Sequence, residues 1–170
     1  MMLKDLILTV PDFPEPGILF KDISPLLQDP QNFQNCIDQL ARSADFITQA
    51  DLFVGIESRG FIFASALAAK LGKGFVPARK KGKLPPPVIS ESYSLEYGQS
   101  ALEMKKGSGK VVLVDDVLAT GGTLKASESL SQKAGYEVLG AVVLIDLPFL
   151  NQLQINGRPV VSLLQYGPGE

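Results

Sequence analysis

The chain has 170 residues, of which 16 are Lys or Arg, 18 are Asp or Glu and none is histidine, so its formal net charge is −2. This length suits one domain, the charge argues against a general binder of nucleic acids or membrane surfaces, and no apolar run reaches membrane-span length. The single cysteine, Cys36, excludes an intramolecular disulfide and suits a reducing cytoplasm, and the lack of histidine excludes Ser-His and Cys-His nucleophiles and imidazole metal sites.

The N-terminal part of the chain predicts two helices separated by an irregular arm. The apolar residues of Leu3–Thr9 recur at helical spacing, which predicts a short amphipathic helix. Pro11–Pro25 is rich in proline, which favours an ordered but irregular segment. Asp29 followed by Pro30 is typical of a helix start, and we expect that helix to end within residues 45–50.

The next part of the chain alternates apolar strands with polar turns. Leu52–Ile56 predicts a buried strand and Phe61–Leu71 a helix, with a Glu-Ser-Arg-Gly turn between them. Phe75–Arg79 predicts a further strand, which a basic run and three prolines follow. The alternating apolar pattern of Tyr93–Tyr97 then predicts two strands of a hairpin-like flap. Because the C-terminal ends of parallel strands border the same crevice, we expect the turns that follow these strands to lie close together.

The stretch Val111–Thr123, VVLVDDVLATGGT, combines a strand, an acid pair and a small-residue turn. Val111–Val114 predicts a buried strand of a parallel sheet, and Leu124–Ala134 is rich in helix formers. The turn between them would bring unpaired backbone amides to the positive end of a helix. Such a turn is typical of an anion site.

The loop of this stretch suits a phosphate, and the acids before it suit another part of the same ligand. Gly121 and Gly122 permit positive φ and close approach to a phosphate. Thr120 and Thr123 can donate hydroxyl hydrogen bonds, and Thr123 can also cap the helix. Because carboxylates repel phosphate, Asp115–Asp116 should face sugar hydroxyls or a magnesium ion. A ribose 5-phosphate derivative fits both halves, with a solvated acidic turn as the alternative.

Competing phosphate motifs do not fit this chain. No Gly-Lys pair has the Walker spacing, and the dinucleotide fingerprint G-x-G-x-x-G does not occur. A phosphoacceptor receiver domain would carry its acid pair after the first strand, whereas more than a hundred residues precede the pair here.

The C-terminal part predicts two further strands and completes an alternating pattern. Glu137–Ile145 predicts a core strand that ends before Asp146, and Arg158–Gln165 predicts the last strand. The segment Tyr166–Glu170 has no evident function. Strands that alternate with helices predict an α/β fold with a mainly parallel sheet and its ligand at the strand C-terminal ends.

The acid pair with its Gly-Gly-Thr loop resembles the 5-phosphoribosyl-1-pyrophosphate (PRPP) motif of the type I phosphoribosyltransferases. Two further segments, PGILFKDIS before the first predicted strand and ESRG after it, resemble the base-binding hood and the pyrophosphate loop of the adenine-specific members. The resemblance covers nearly the full length. It implies the type I phosphoribosyltransferase fold, with a mainly parallel sheet flanked by helices, in one domain over residues 1–170. Within it, residues 1–28 would form the hood and residues 79–100 a mobile flap.

The resemblance further implies a reaction and its partners. The 5-phosphoribosyl group of PRPP would pass to adenine, giving AMP and pyrophosphate in purine salvage, in a cytoplasmic homodimer that uses Mg²⁺. The metal would be held mostly by PRPP oxygens and water, with Asp115 or Asp116 as candidate protein ligands. Phe20 would stack on adenine, and the backbones of its neighbours would read the hydrogen-bonding edge of the base.

Single residues take roles from the same resemblance. The adenine-binding residues would be Leu19, Phe20, Lys21 and Leu147. The pyrophosphate loop would be Ser58, Arg59 and Gly60. The ribose 5-phosphate part of PRPP would be bound by Asp115, Asp116, Ala119, Thr120, Gly121, Gly122 and Thr123. The residues implied in catalysis are Arg59, Arg79, Lys80, Lys83, Glu96 and Tyr97, with Glu96 as the candidate for proton transfer from adenine.

Two alternatives remain open at the level of sequence. One is a phosphoribosyltransferase for another base, such as xanthine, hypoxanthine or orotate. The other is a non-catalytic PRPP-sensing regulator on the same fold. Such a regulator should lack the basic flap or carry a DNA-binding module, whereas this chain has the basic run and no appended module.

Overall fold

A computed structural model describes residues 2–95 and 98–170. The N-terminal half contains a 3-10 turn (Leu3–Leu6), β1 (Leu8–Pro11), β2 (Leu19–Asp22), α1 (Ser24–Gln28), α2 (Pro30–Arg42), α3 (Phe46–Gln49), β3 (Leu52–Ile56), α4 (Gly60–Leu71) and β4 (Gly74–Lys80). The remainder contains β5 (Ile89–Leu95), β6 (Gly98–Met104), β7 (Gly109–Leu118), α5 (Gly122–Lys133), β8 (Tyr136–Asp146), a 3-10 turn (Pro148–Leu150), β9 (Gln154–Ile155), β10 (Arg158–Pro159) and β11 (Val161–Gln165).

The main sheet has seven strands in the order β11-β8-β7-β3-β4-β6-β5. The five strands from β11 to β4 pair in parallel, whereas β6 pairs antiparallel with both β4 and β5. The predicted α/β fold with a mainly parallel sheet is therefore confirmed, and so is the hairpin of β5 and β6. In the described ranges, no helix has the length and apolar character needed to cross a membrane.

The inner strands are buried on both faces because helices cover both sides of the sheet. Val112 and Val114 belong to a core cluster that also contains Leu40 of α2 and Phe63 of α4. The alternate residues Val111 and Leu113 belong to a second cluster, with Leu124 and Leu130 of α5. A strand that is packed on both faces has apolar residues at successive positions, and Val111–Val114 shows this pattern in the sequence.

The predicted N-terminal helix is too long, and the predicted irregular arm is irregular between β1 and β2 but also contains β2 and the start of α1. Only Leu3–Leu6 is helical, as a 3-10 turn, and Leu8–Pro11 forms an antiparallel pair with Leu19–Asp22. Leu3, Leu6 and Ile7 are buried, so the apolar spacing that suggests a helix instead marks a turn that packs on the core. After this turn, the backbone groups find partners in β2, a pairing that local spacing does not reveal.

Other predicted boundaries shift by a few residues. Asp29 caps α2, since its side chain accepts a hydrogen bond from the Asn32 amide, but α2 ends at Arg42 and a separate short helix follows. Strand β7 continues through the acid pair to Leu118, and β8 includes Asp146. The last strand begins only at Val161, because the residues before it pair with β9 in a small separate hairpin.

Candidate active site

The C-terminal ends of β3 and β7 open into one crevice that the flap hairpin borders. A cavity of about 610 Å³ lies there, and it contains the acid pair and the start of the pyrophosphate loop. Its lining residues are Glu57, Ser58, Arg59, Lys80, Tyr93, Leu95, Ser100, Leu102, Asp115, Asp116, Val117, Ala119 and Thr123. Segments that are far apart in sequence thus meet at the sheet edge where parallel α/β folds bind ligands.

A smaller cavity of about 110 Å³ lies at the N-terminus of α5 and is lined by Ala119–Leu124 together with Asp115, Val117 and Leu118. Four residues line both cavities: Asp115, Val117, Ala119 and Thr123. A phosphate held by the loop amides and a sugar held by the acids would therefore occupy adjoining spaces. This arrangement is the juxtaposition that the sequence pattern predicts.

The geometry of the loop corrects two details of the prediction. Gly121 is the helix N-cap and has a positive φ of 92°, whereas Gly122 begins the helix and needs no special backbone conformation. Thr123 is therefore the second helical residue and not the cap. Its backbone oxygen accepts a hydrogen bond from the Ser127 hydroxyl one turn later.

Within residues 2–95 and 98–170, Asp116 forms an ion pair with an arginine, whereas Asp115 forms none. Asp116 is 4% exposed, and its Oδ2 lies 2.7 Å from Nε of Arg59. The Asp116 amide donates to Oδ1 of Asp115 at 2.9 Å. Burial and the neighbouring charge of Asp116 raise the pKa of Asp115 well above its usual range. Ionising both carboxylates is therefore unfavourable, and a polar or cationic ligand would stabilise the ionised pair.

Gly60 lets the loop that is predicted to bind pyrophosphate approach the acid pair. A Cβ atom at this position would lie 2.8 Å from the backbone oxygen of Val114 and 3.0 Å from Oδ1 of Asp115. The N-terminus of α4 therefore packs directly against Val114 and Asp115 of β7, with no room for a side chain. The peptide bond between Glu57 and Ser58 in the same loop is cis.

Arg59 connects the acid pair with the hood. Besides its ion pair with Asp116, its guanidinium carbon lies 4.9 Å from the centre of the Phe20 ring. Phe20 and Arg59 both line a cavity of about 450 Å³ between the β1–β2 hairpin and α1. Its other lining residues are Val10, Phe13, Asp22, Ile23, Ser24 and Leu27. The aromatic residue predicted to stack on the base thus faces the crevice side of the hood.

The other predicted base-site residues are arranged differently. The described residues that line these cavities include neither Leu19 nor Leu147. Leu147 packs against the core, and its amide donates to the Leu118 oxygen at 2.9 Å. The side chain of Lys21 is buried against Thr9 and the C-terminal segment. Any contact of Lys21 with a base would therefore come from its backbone, as the resemblance implies.

The basic residues after β4 have distinct surroundings. Lys80 lines the large cavity, whereas Arg79 binds Oε1 of Glu57 at 2.7 Å and Lys83 is exposed. The Lys80 amide donates to Oε2 of the same carboxylate at 2.6 Å. Burial opposes the ionised form of Glu57, but these hydrogen bonds outweigh it, so its pKa is lowered. Glu96 and Tyr97 lie outside the described residues.

Glu57 and Asn151 support the site without having been singled out in the sequence. Glu57 ties the basic end of β4 to the pyrophosphate loop, and its position directly before that loop was the available signal. Asn151 donates from Nδ2 to Ala119 O, Asp146 Oδ1 and Leu147 O at 3.0, 3.0 and 3.1 Å. No local pattern marks Asn151, because its link to the phosphate loop is a contact with Ala119, which lies 32 residues away in the chain.

The described geometry agrees with what comparison with known proteins finds. The family model of the phosphoribosyl transferase domain matches residues 26–150, which is most of the chain. The chain belongs to this family. It is 53% identical to an adenine phosphoribosyltransferase of Bdellovibrio bacteriovorus, over 98% of this chain and 100% of that one. A relative of the same name from Acetivibrio thermocellus is 50% identical at the same coverage of both chains.

Solved structures of phosphoribosyltransferases share the fold. The adenine phosphoribosyltransferase of Rhodothermus marinus has a TM-score of 0.84 and 45% identity, over 96% of each chain. The Saccharomyces cerevisiae enzyme, complexed with an imino-altritol bisphosphate and adenine, has a TM-score of 0.86 and 36% identity. That comparison covers 95% of this chain and 96% of the yeast chain. The predicted family resemblance is thereby confirmed.

Proposed function

We propose that this protein transfers the 5-phosphoribosyl group from PRPP to adenine, giving AMP and pyrophosphate. The observation that carries the proposal is the acid pair Asp115–Asp116, which shares cavity walls with the amide-rich start of α5. The full-length relatives that are named adenine phosphoribosyltransferase support the choice of base. PRPP carries a phosphate, ribose hydroxyls and a pyrophosphate. These groups match the amides at the start of α5, the acid pair, and the loop that contains Ser58 and Arg59, which line the two cavities.

PRPP binding is divided between the two adjoining cavities. The 5-phosphate is held by backbone amides of Thr120–Thr123 at the positive end of α5. The ribose hydroxyls donate to the carboxylates of Asp115 and Asp116. Ser58, Arg59 and Gly60 bind the pyrophosphate, and for this Arg59 exchanges its ion pair with Asp116 for one with the incoming anion. Because both ends of the substrate are fixed, ribose C1 is held in one place within the large cavity.

Displacement occurs at C1 as the bond to pyrophosphate breaks and a bond to N9 of adenine forms. The N9 proton leaves the base, and Glu96 remains the candidate acceptor. Positive charge that develops on the ribose is stabilised by the nearby acid pair, and the leaving pyrophosphate by Arg59 and Lys80. These fixed charges act in a partly water-excluded site, where they are stronger than in bulk solvent.

The donor set of the site fits a magnesium ion that the substrate brings with it. The described residues contain no cluster of three or more His, Cys, Asp or Glu that could hold a metal ion. Asp115 and Asp116 nevertheless supply hard oxygen ligands with only one paired arginine. Bound Mg²⁺ would neutralise charge on the pyrophosphate as it departs. The carboxylates would then hold both ribose hydroxyls and a shared ion.

The hood and the flap enclose the reacting atoms. Phe20 stacks on adenine, and the backbones of Leu19 and Lys21 match the acceptor and amino group of its edge. An oxo base would leave these groups unpaired, at a cost of about 1–3 kcal/mol each. The resemblance assigns Leu147 to the opposite face of the base, although its side chain packs against the core. Residues 79–100 close over PRPP, with Lys80, Arg79 and Lys83 as their basic part, and this closure excludes water.

A nucleotide-formation assay tests the proposal directly. Purified protein is incubated with Mg²⁺ and PRPP and with adenine, hypoxanthine, xanthine or orotate, and the nucleotide formed is measured. AMP formation with adenine preferred over the other bases is expected. Preference for another base would overturn the adenine assignment, and no nucleotide with any base would favour the regulator.

Two accompanying expectations concern the state of the protein in the cell. We propose a homodimer and a cytoplasmic location, both of which follow from the resemblance. Analytical ultracentrifugation of the full chain tests the first, with a sedimentation coefficient for twice the chain mass expected. Cell fractionation tests the second.

A further inference from the structure

A buried lysine lies directly beside the aromatic residue of the hood. Lys21 follows Phe20 in β2, and neighbouring residues of a strand point to opposite faces. Phe20 lines the cavity between the β1–β2 hairpin and α1, whereas Lys21 is 4% exposed and points toward the C-terminal segment. A buried lysine is uncommon and calls for specific partners.

The partners of Lys21 come from both ends of the chain. Its Nζ donates to Oγ1 of Thr9 at 2.8 Å and to the backbone oxygen of Glu170 at 2.6 Å. The same ammonium lies 3.9 Å from the centre of the Tyr166 ring. A second ammonium, that of Lys4, lies 4.5 Å from the ring and 3.0 Å from Oε1 of Glu170. Two cations therefore share one aromatic ring.

The ring itself is fixed to the main sheet. Tyr166 follows β11, is 4% exposed and packs in the core, and its amide donates to the Asp146 oxygen at 3.2 Å. Its buried hydroxyl has no hydrogen-bond partner among residues 2–95 and 98–170. The aromatic ring, and not the hydroxyl, is thus the part of Tyr166 that contacts the lysines.

The β1–β2 hairpin needs such a contact because it is separate from the seven-stranded sheet. An isolated two-stranded hairpin is marginally stable in water. Leu6, Ile7 and Ile23 fix the chain just outside the hairpin by packing in the core. Within β2, Lys21 provides a tie to the body of the protein directly next to Phe20.

We propose that Tyr166 is a positioning residue for the base: its ring holds Lys21 and thereby fixes the strand that presents Phe20. The inference rests on the proposed function. It gives the C-terminal segment Tyr166–Glu170 a role in adenine binding although the segment does not line the cavities of the site. Binding of PRPP, which uses the other end of the crevice, should not depend on it.

The test compares three variants of the full chain by steady-state kinetics. Tyr166→Leu removes the ring and is expected to raise KM for adenine about fivefold, with KM for PRPP changed less than about twofold. Tyr166→Phe keeps the ring and is expected to restore the wild-type KM for adenine. Lys21→Met, which removes the cation, should raise KM for adenine as Tyr166→Leu does.

A matched control separates positioning from general loss of stability. Tyr136 is also buried, but it lies at the start of β8, at the opposite end of the sheet from the crevice. Tyr136→Leu should lower stability without changing the ratio of the two KM values. Amide hydrogen exchange adds a second readout, with faster exchange of residues 8–22 expected in Tyr166→Leu and unchanged exchange of β7.

The outcomes distinguish this inference from the proposed function. If Tyr166→Leu and Lys21→Met raise the KM values for adenine and PRPP equally, or raise neither, Tyr166 does not position the base. This result would overturn the inference even when the wild type forms AMP. If the wild type forms no AMP, the proposed function fails first. Should Tyr166→Leu not fold, the KM ratio of Lys21→Met decides the matter.

Discussion

The phosphate end and the base end of the crevice are held in place by different kinds of structure. The phosphate end, Asp115–Thr123, joins a strand of the main sheet, buried over Val111–Val114, to a helix of 12 residues. The base end places Phe20 on a two-stranded hairpin outside that sheet. The first belongs to the main sheet and its adjoining helix. The second is held by the core residues that flank the hairpin and by side-chain contacts with distant residues. The phosphate end should therefore tolerate remote changes better than the base end does.

Arg59 is the residue that links the two ends. It lies 2.7 Å from Asp116 on the phosphate side and 4.9 Å from the Phe20 ring on the base side. A pyrophosphate that attracts Arg59 would loosen both contacts together. Variants that change only the phosphate end or only the base end therefore test whether substrate binding at the other end also changes.

The largest effect is expected from Gly60→Ala. The new Cβ would meet the backbone oxygen of Val114, which cannot move aside without shifting β7. A displacement of about 1 Å in a positioned site can cost about a hundredfold, and we expect that loss in kcat/KM for PRPP. Steady-state kinetics and urea unfolding measure it.

Gly74→Ala is the matched control for Gly60→Ala. Its Cβ would lie 2.5 Å from Cδ2 of Leu52, the end of a flexible side chain, far from the crevice. Activity should remain within about twofold of wild type, with a stability loss of about 1 kcal/mol. Equal activity losses in both variants would contradict the role of Gly60.

The next largest effect is expected from Asp116→Asn. Loss of the charge weakens the hold on the ribose hydroxyls, and kcat/KM for PRPP should fall at least about tenfold, or about 1.4 kcal/mol. Asp38→Asn removes a carboxylate that lies 2.6 Å from Nζ of Lys70, away from the crevice, and should leave kcat/KM unchanged. An unchanged value for Asp116→Asn would count against its ribose role.

A smaller effect confined to the phosphate end is expected from Asn151→Ala. The amide of Asn151 holds the Ala119 oxygen and the segment after β8 together. Its loss should raise KM for PRPP about fivefold, since one buried amide contact contributes about 1 kcal/mol. Asn32→Ala removes a comparable amide contact in α2 and should not change this KM. An equal rise in KM for adenine would show that the ends are coupled.

The last expected effect concerns stability and not activity, and it is a pH dependence that comes from Asp115. Its pKa is raised in the folded protein by burial and by the charge of Asp116, so folding favours the protonated form. Its stabilising contribution is therefore present below the unfolded pKa of about 3.9 and is lost as pH rises through the folded value. The asparagine of Asp115→Asn does not ionise, so this variant lacks the pH dependence that Asp115 causes.

Urea unfolding at pH 5 and pH 8 measures this dependence. The free energy of unfolding of wild type should fall relative to Asp115→Asn between the two pH values. A constant difference would mean that Asp115 is solvated like an ordinary surface acid. Asp22→Asn, in the hood, provides the comparison from the base end. Hydrogen bonds from Ser24 lower the pKa of Asp22, so its contribution to stability is lost only as pH falls below about 3.9, and the difference between wild type and Asp22→Asn should stay constant from pH 5 to pH 8.

The phosphate end could be predicted from the sequence to within a few residues. Val111–Val114 is a buried strand and Gly121 has the positive φ that the turn requires, as the pattern indicates. The details that were wrong concern boundaries, such as the continuation of β7 through Asp116. A strand ends where its last backbone pair ends, and β8 provides partners for β7 as far as Leu118.

The base end could be predicted only in part. The resemblance pointed to Phe20, but the hairpin that carries it was expected to be irregular, and the buried side chain of Lys21 was not foreseen. Its partners Tyr166 and Glu170 lie at the other end of the chain. Rules based on residue spacing describe contacts between residues a few positions apart in the chain. They therefore do not predict contacts between its two ends.

By itself the sequence determined the alternation of strands and helices, the acid pair and the anion-binding turn, because each depends on residues that adjoin in the chain. Only the tertiary structure decided that Arg59 reaches Asp116, that Gly60 packs on Val114, and that Lys21 lies on Tyr166. These contacts join segments brought together by burial of the whole core, which is a collective and non-directional effect. No single stretch of sequence encodes them.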